Sequence, residues 1–151
     1  MKKILLVFSF VLFLLPPSIL VHSNRAIDEP EPNYYQPEEK SKEELMMDLF
    51  LSLLSPNIDK AITSYYSDSL LISPMVYPYQ IKILNMERTN GYRGYIFSVT
   101  IEVTPVVGPH IPVGKDQLTF TITPSRISLT DFSHIETYDL PPHWQYIIRK
   151  K

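Results

Sequence analysis

Apolar residues recur at helical spacing between Leu45 and Tyr66, and from Tyr79 onward they alternate with polar ones. Leu45, Met46, Leu49, Phe50, Leu53 and Leu54 follow an i, i+1, i+4, i+5 pattern that places them on one stripe of a helix. Ser41-Lys42-Glu43-Glu44 precedes the stripe and has the form of a capping box, in which serine and glutamate satisfy terminal amides. Ser55-Pro56 interrupts it, but the same pair is suited to restart a helix, since serine caps and proline is accepted in a first turn. Ile58, Ala61, Ile62, Tyr65 and Tyr66 then resume an apolar face. The spacing predicts two helices, or one kinked helix, across residues 42–67.

The rest of the chain predicts strands. Tyr79, Ile81 and Ile83 alternate with Gln80 and Lys82, and Thr89-Asn90-Gly91 supplies a turn because Asn-Gly accepts positive φ. Tyr95, Phe97, Val99, Ile101 and Val103 give the clearest period of two, and Leu118, Phe120 and Ile122 repeat it. A fourth strand is expected from Arg126 to Tyr138. One apolar and one polar face suit an antiparallel sheet covered on one side by helix. The fold class is therefore α+β, an N-terminal helix on a four-stranded antiparallel meander, cystatin-like or nuclear-transport-factor-like in outline. Pro105 to Gly114 is a long connection stiffened by prolines. In the tail, Trp144, Tyr146 and Ile148 alternate as a further strand would.

Ahead of the helix the pattern is different. Lys2-Lys3, an apolar run from Ile4 to Leu15 broken only by Ser9, Pro16-Pro17, and Val21-His22-Ser23 follow the order of a secretory signal. A helix over that run reaches about 18 Å at 1.5 Å per residue, short of a bilayer core of about 30 Å. The expectation is a signal peptide over 1–23, a secreted or extracytoplasmic product, and contact with membrane only if that segment stays uncleaved. Residues 24–40 read as an acidic, proline-rich linker, with Pro30, Pro32 and Pro37 among Asp28, Glu29, Glu31, Glu38 and Glu39. A single domain over 41–151 follows. Cysteine is absent, so disulfides and thiolate metal sites are excluded. Charges balance beyond Leu45 and no basic patch forms, which argues against a nucleic-acid partner.

Several of these segments together resemble a family of small secreted proteins of uncharacterised function from spore-forming Gram-positive bacteria. The resemblance lies in Leu53-Leu54-Ser55-Pro56-Asn57-Ile58-Asp59-Lys60-Ala61-Ile62 with Tyr65-Tyr66, in the strand Tyr95 to Val103, and in Gly108-Pro109-His110, Pro112 and Gly114 leading to Asp116 and Leu118-Thr119-Phe120. It covers roughly residues 41–138. It implies export and a helix-plus-sheet fold, and no activity.

Candidate chemistry is sparse. His110 stands in the only loop of distinctive composition, with Asp116 and Tyr95 as expected neighbours. Tyrosines such as Tyr65 and Tyr79, with an apolar body and a polar tip, suit a ligand groove between helix and sheet. The expected ligand residues are thus His110, Tyr65, Tyr79, Tyr95 and Asp116, serving an unknown small ligand or an extracellular protein. His134 and Glu136 lie two apart on a strand and should share a face, with Asp139 and His143 nearby. The pattern is too common to assign a metal, and no cofactor is expected. No nucleophile elbow and no phosphate loop occurs. The reading is a non-enzymatic binding or interaction module. The alternatives are a small hydrolase using His110 or His134 with a carboxylate, or a cystatin-like protease inhibitor. The latter rests on a similarity of Thr104-Pro105-Val106-Val107-Gly108 and Pro142-His143-Trp144 to cystatin loops.

Overall fold

The computed structural model describes residues 36–150, so the expected signal segment and most of the expected linker lie outside the described residues. Ser41 caps the helix as its sequence requires: its hydroxyl accepts the Glu44 amide at 3.0 Å. The Glu44 carboxylate reaches back to the amide of Lys40 at 2.6 Å, one residue earlier than in the usual box.

From there α1 runs unbroken over Lys42–Tyr66 with Pro56 inside it. Of the two expected arrangements, one helix rather than a pair split at Ser55-Pro56 is observed. Ser55 caps nothing; its hydroxyl donates back to the Leu51 carbonyl at 2.9 Å. Leu54, Ile58 and Ile62 are fully buried on both sides of Pro56, and that packing outweighs the missing backbone bond. Pro56→Ala is accordingly expected to stabilise the domain by about 2 kcal/mol, because it returns a donor to the Ser52 carbonyl. Chemical denaturation measures this, and an unchanged midpoint would contradict it.

The predicted stripe is also only half correct. Leu54 is buried and Phe50 partly so, but Leu45, Met46, Leu49 and Leu53 are 60–69% exposed. The first half of α1 is apolar on more than one side, and the sheet selects the side carrying Met47, Phe50, Leu51 and Leu54.

The sheet has four antiparallel strands: β1 (Ile81–Arg88), β2 (Phe97–Val103), β5 (Gly114–Thr123) and β6 (Arg126–Thr137), in spatial order β1-β2-β5-β6. Val99, Ile101 and Val103 of β2 lie opposite Phe120, Leu118 and Asp116 of β5 on the face covered by α1. The outer face is polar, with a Thr100–Thr119 hydroxyl contact at 3.1 Å and a Lys82–Glu102 ion pair at 3.8 Å. Tyr79 falls in a 3₁₀ turn, Pro78–Gln80, rather than in the first strand.

The long connection is itself a small hairpin, β3 (Val106–Val107) with β4 (Ile111–Pro112), turning through Gly108 and His110 at φ of 51° and 62°. The tail adds no strand. Pro142–Ile147 winds into a 3₁₀ helix, and Ile148 bridges to Leu70 just past the end of α1. Two prolines before Trp144 favour that start.

Candidate functional site

The second residue of the buried row on β5 is a carboxylate. Gly114, Asp116, Leu118 and Phe120 all face inward, and Asp116 is fully buried. A charge at such a position needs partners, and it has two. Tyr66, at the end of α1, donates its hydroxyl to Oδ2 at 3.0 Å. His134 of β6 places Nδ1 2.6 Å from Oδ1, a hydrogen bond between imidazole and carboxyl. The other ring nitrogen, Nε2, meets the Thr137 hydroxyl at 2.7 Å. Tyr65 stacks over His134 and Phe132 together, at centroid distances of 5.1 and 4.7 Å.

Local irregularity makes this possible. On β6, His134 opposes Asp116 while Glu136 opposes Lys115, leaving Ile135 as an extra residue in a bulge. An extra residue at Thr130, between Leu129 opposite Phe120 and Asp131 opposite Thr119, puts Phe132 and His134 on the inward face. The bulge at Ile135 then turns Glu136 outward, so His134 and Glu136 do not share a face as the i, i+2 spacing predicts. Gly114 provides the remaining clearance. A Cβ there would stand 2.5 Å from the Tyr66 hydroxyl, 2.6 Å from the Glu136 carbonyl and 3.1 Å from His134 Cε1.

Tyr65, Tyr66, His134 and Thr137 of this cluster line a cleft of about 570 Å³ between the end of α1, the end of β6 and the tail. Leu70, Val113, Leu140 and Ile148 supply apolar lining; Tyr65, Tyr66 and Tyr138 supply rings. The lining carries Asp68 and Asp139 but neither lysine nor arginine.

Burial drives the Asp116 carboxyl above its ordinary 3.8, while hydrogen bonds from His134 and Tyr66 pull it the other way. Burial, and then the charge of Asp116, hold the Tyr66 phenol far above its ordinary range, so it remains a donor. An acid whose value is raised by folding adds stability below its unfolded value and loses it as pH rises through the folded one. Wild type is therefore expected to lose stability in the window that opens near 3.8 and closes at the higher value of Asp116. Asp116→Asn should flatten the profile of melting temperature against pH in that window. Asp59, also raised by burial, leaves a residual slope of the same sign. Parallel profiles for variant and wild type would refute this.

The expected ligand residues divide into two groups. Tyr65 lines the cleft and Asp116 is held by Tyr66 and His134, which line it too, whereas Tyr79 and His110 meet elsewhere, where the Tyr79 hydroxyl lies 2.7 Å from His110 Nδ1. His110 and Asp116 are therefore not neighbours in one site. Tyr95 is 65% exposed beside the β1–β2 turn and joins neither group. His143 is exposed on the tail. Among the described residues no three of His, Asp and Glu converge as metal ligands. Gly114 and Thr137 were not among the expected site residues; Tyr66 was expected only as one of several groove tyrosines, and His134 only in the hydrolase and metal readings. Tyr66 follows Ile58 and Ile62 at helical spacing, and extending the β5 alternation back from Leu118 exposes Asp116 as a carboxylate in a core row. No sequence signal marks the bulge that brings in His134.

Residues 46–136 match the family described as Protein of unknown function (DUF3888). The chain belongs to that family. No curated protein and no solved structure matches the chain. The DUF3888 span contains Tyr65, Tyr66, Gly114, Asp116 and His134, and ends just before Thr137. The buried carboxylate–imidazole pair thus lies inside the DUF3888 domain, while the hydroxyl and the tail that close the cleft lie beyond the matched span.

Proposed function

We propose that this protein is an exported, non-enzymatic binding domain that takes a small organic ligand in the cleft beside His134. The observation that carries the reading is the cleft itself. At about 570 Å³ it falls in the range of ligand sites, and it combines apolar lining with a few fixed polar groups. Asp116 and Tyr66 lock the imidazole in orientation, so the polar wall is organised before a ligand arrives. With Asp68 and Asp139 at the lining and no lysine or arginine, the site favours neutral or cationic ligands over anions.

A thermal-shift screen sorted by ligand charge tests the reading. A ligand at a hundred times its dissociation constant stabilises by about 2.7 kcal/mol. That gain should disappear in Ser64→Phe, which fills the cleft from an exposed helix position. Hits that stabilise the variant equally would place binding elsewhere. Export is tested separately: the secreted product should begin at Asn24, and a product retaining Met1 in the cell would refute it.

One observation favours a second reading, a hydrolase. Asp116, His134 and Thr137 follow the order carboxylate, imidazole, hydroxyl, the order that activates a nucleophilic hydroxyl. Against it, the Tyr138 amide next to Thr137 is already donated to the Val113 carbonyl at 3.1 Å and is not available to a developing oxyanion. Ester hydrolysis that is lost in Thr137→Ala would establish this reading; hydrolysis unchanged in that variant would remove it. The inhibitor reading is weakened, because Val106 and Val107 are buried at 3% and 2% and present no open loop.

A further inference from the structure

Away from the cleft, three rings are arranged in two layers. Tyr79 and His110 lie side by side, with centroids 6.3 Å apart, planes 28° apart, and a 2.7 Å hydroxyl-to-Nδ1 contact joining their edges. That contact requires the two rings to meet edge to edge, so together they make one flat surface. Tyr77 stacks against both, at 5.6 and 4.7 Å, and so backs the pair from one side. Tyr77 is half-buried, whereas Tyr79 is 70% exposed and His110 is exposed.

The support is specific. His110 sits at φ 62°, a conformation that residues other than glycine adopt rarely. The turn that holds it begins at Gly108, where a Cβ would stand 2.1 Å from the Trp144 ring. Trp144 in turn stacks on Tyr146, which is 67% exposed. The hairpin β3–β4 and the tail therefore brace a ring surface that faces solvent.

We propose that the Tyr79–His110 surface binds a neutral oligosaccharide by stacking. A pyranose has a flat face of C–H bonds ringed by hydroxyls. The paired rings offer a flat apolar surface, and the Tyr79 hydroxyl and His110 Nε2 offer polar edges to those hydroxyls. Stacked nucleotides would also fit flat rings, but they need a basic groove. The groove leading away from Tyr79 instead carries Glu39, Glu44 and Asp48 beside Lys82. Its charge opposes a polyphosphate and leaves a neutral sugar unaffected.

Trp144 is the only tryptophan in the chain and packs against Gly108, so its fluorescence reports on this turn. The full domain is titrated with chitotetraose, with cellotetraose and with adenosine monophosphate. The expected result is a saturable change with at least one oligosaccharide and none with the nucleotide. Affinity should fall at least tenfold in Tyr79→Ala and in His110→Gly; the latter keeps the backbone conformation while removing the ring. Ser64→Phe, which blocks the other cleft, should bind the sugar as wild type does. No saturable change with either oligosaccharide, confirmed by unmoved amide resonances across residues 77–80 and 108–112, would overturn the proposal. So would affinity unaffected by Tyr79→Ala, or preference for the nucleotide.

Discussion

Gly114→Ala is expected to destabilise the domain by about 3 kcal/mol, although it adds one methyl group to a strand. The new Cβ would point inward, 2.5 Å from the Tyr66 hydroxyl and 2.6 Å from the Glu136 carbonyl. The second neighbour is backbone, paired within the β5–β6 ladder, and cannot turn aside. Relief must come from Tyr66 and His134, which hold Asp116. The variant should therefore also weaken the hydrogen bond between Asp116 and His134. Denaturation gives the stability change, and the imidazole nitrogen shifts of His134 report the bond. A stable variant with unaltered shifts would mean that the strand edge yields and Gly114 is dispensable.

His134→Ala is expected to cost about 3 kcal/mol, chiefly through what it leaves behind. Asp116 is fully buried, and without the imidazole only Tyr66 would serve its carboxylate. Removing one partner of a buried pair costs more than removing both. Asp116→Val combined with His134→Leu should then recover much of the loss, making the two sites strongly non-additive. Costs that simply add would show that the pair is not coupled in folding. The double variant also separates roles: a stable domain that no longer binds the cleft ligand would assign the pair to function rather than to stability.

How much of this was legible in the sequence depends on the range over which each feature is decided. The capped helix start, the strands β2 and β5 and the polar outer face of the sheet follow from local periodicity, because a strand's side chains alternate and a helix's return every turn. Ser41 and Glu44 declare the start of α1 by their own chemistry. Pro56 leaves the choice open at this level, between two helices and one; burial of Leu54, Ile58 and Ile62 on both sides of it decides for one. The stripe fails for a related reason. Leu45, Met46, Leu49 and Leu53 are as apolar as the residues that are buried, and only the sheet's position chooses between them.

The candidate site belongs mostly to tertiary structure. Asp116 could be placed in a core row by extending the alternation of β5, but nothing local names its partners. Tyr66 and His134 reach it from chain positions 50 residues before and 18 after. The extra residue at Thr130 reverses the face on which His134 falls, and a period of two cannot register one extra residue before strands are paired. The sequence by itself determined the fold class and the candidate rings and acids. Which of them meet, Tyr66 and His134 with Asp116 and Tyr79 with His110, was decided only when long-range pairing set the register of β5 against β6 and folded the hairpin β3–β4 beside the tail.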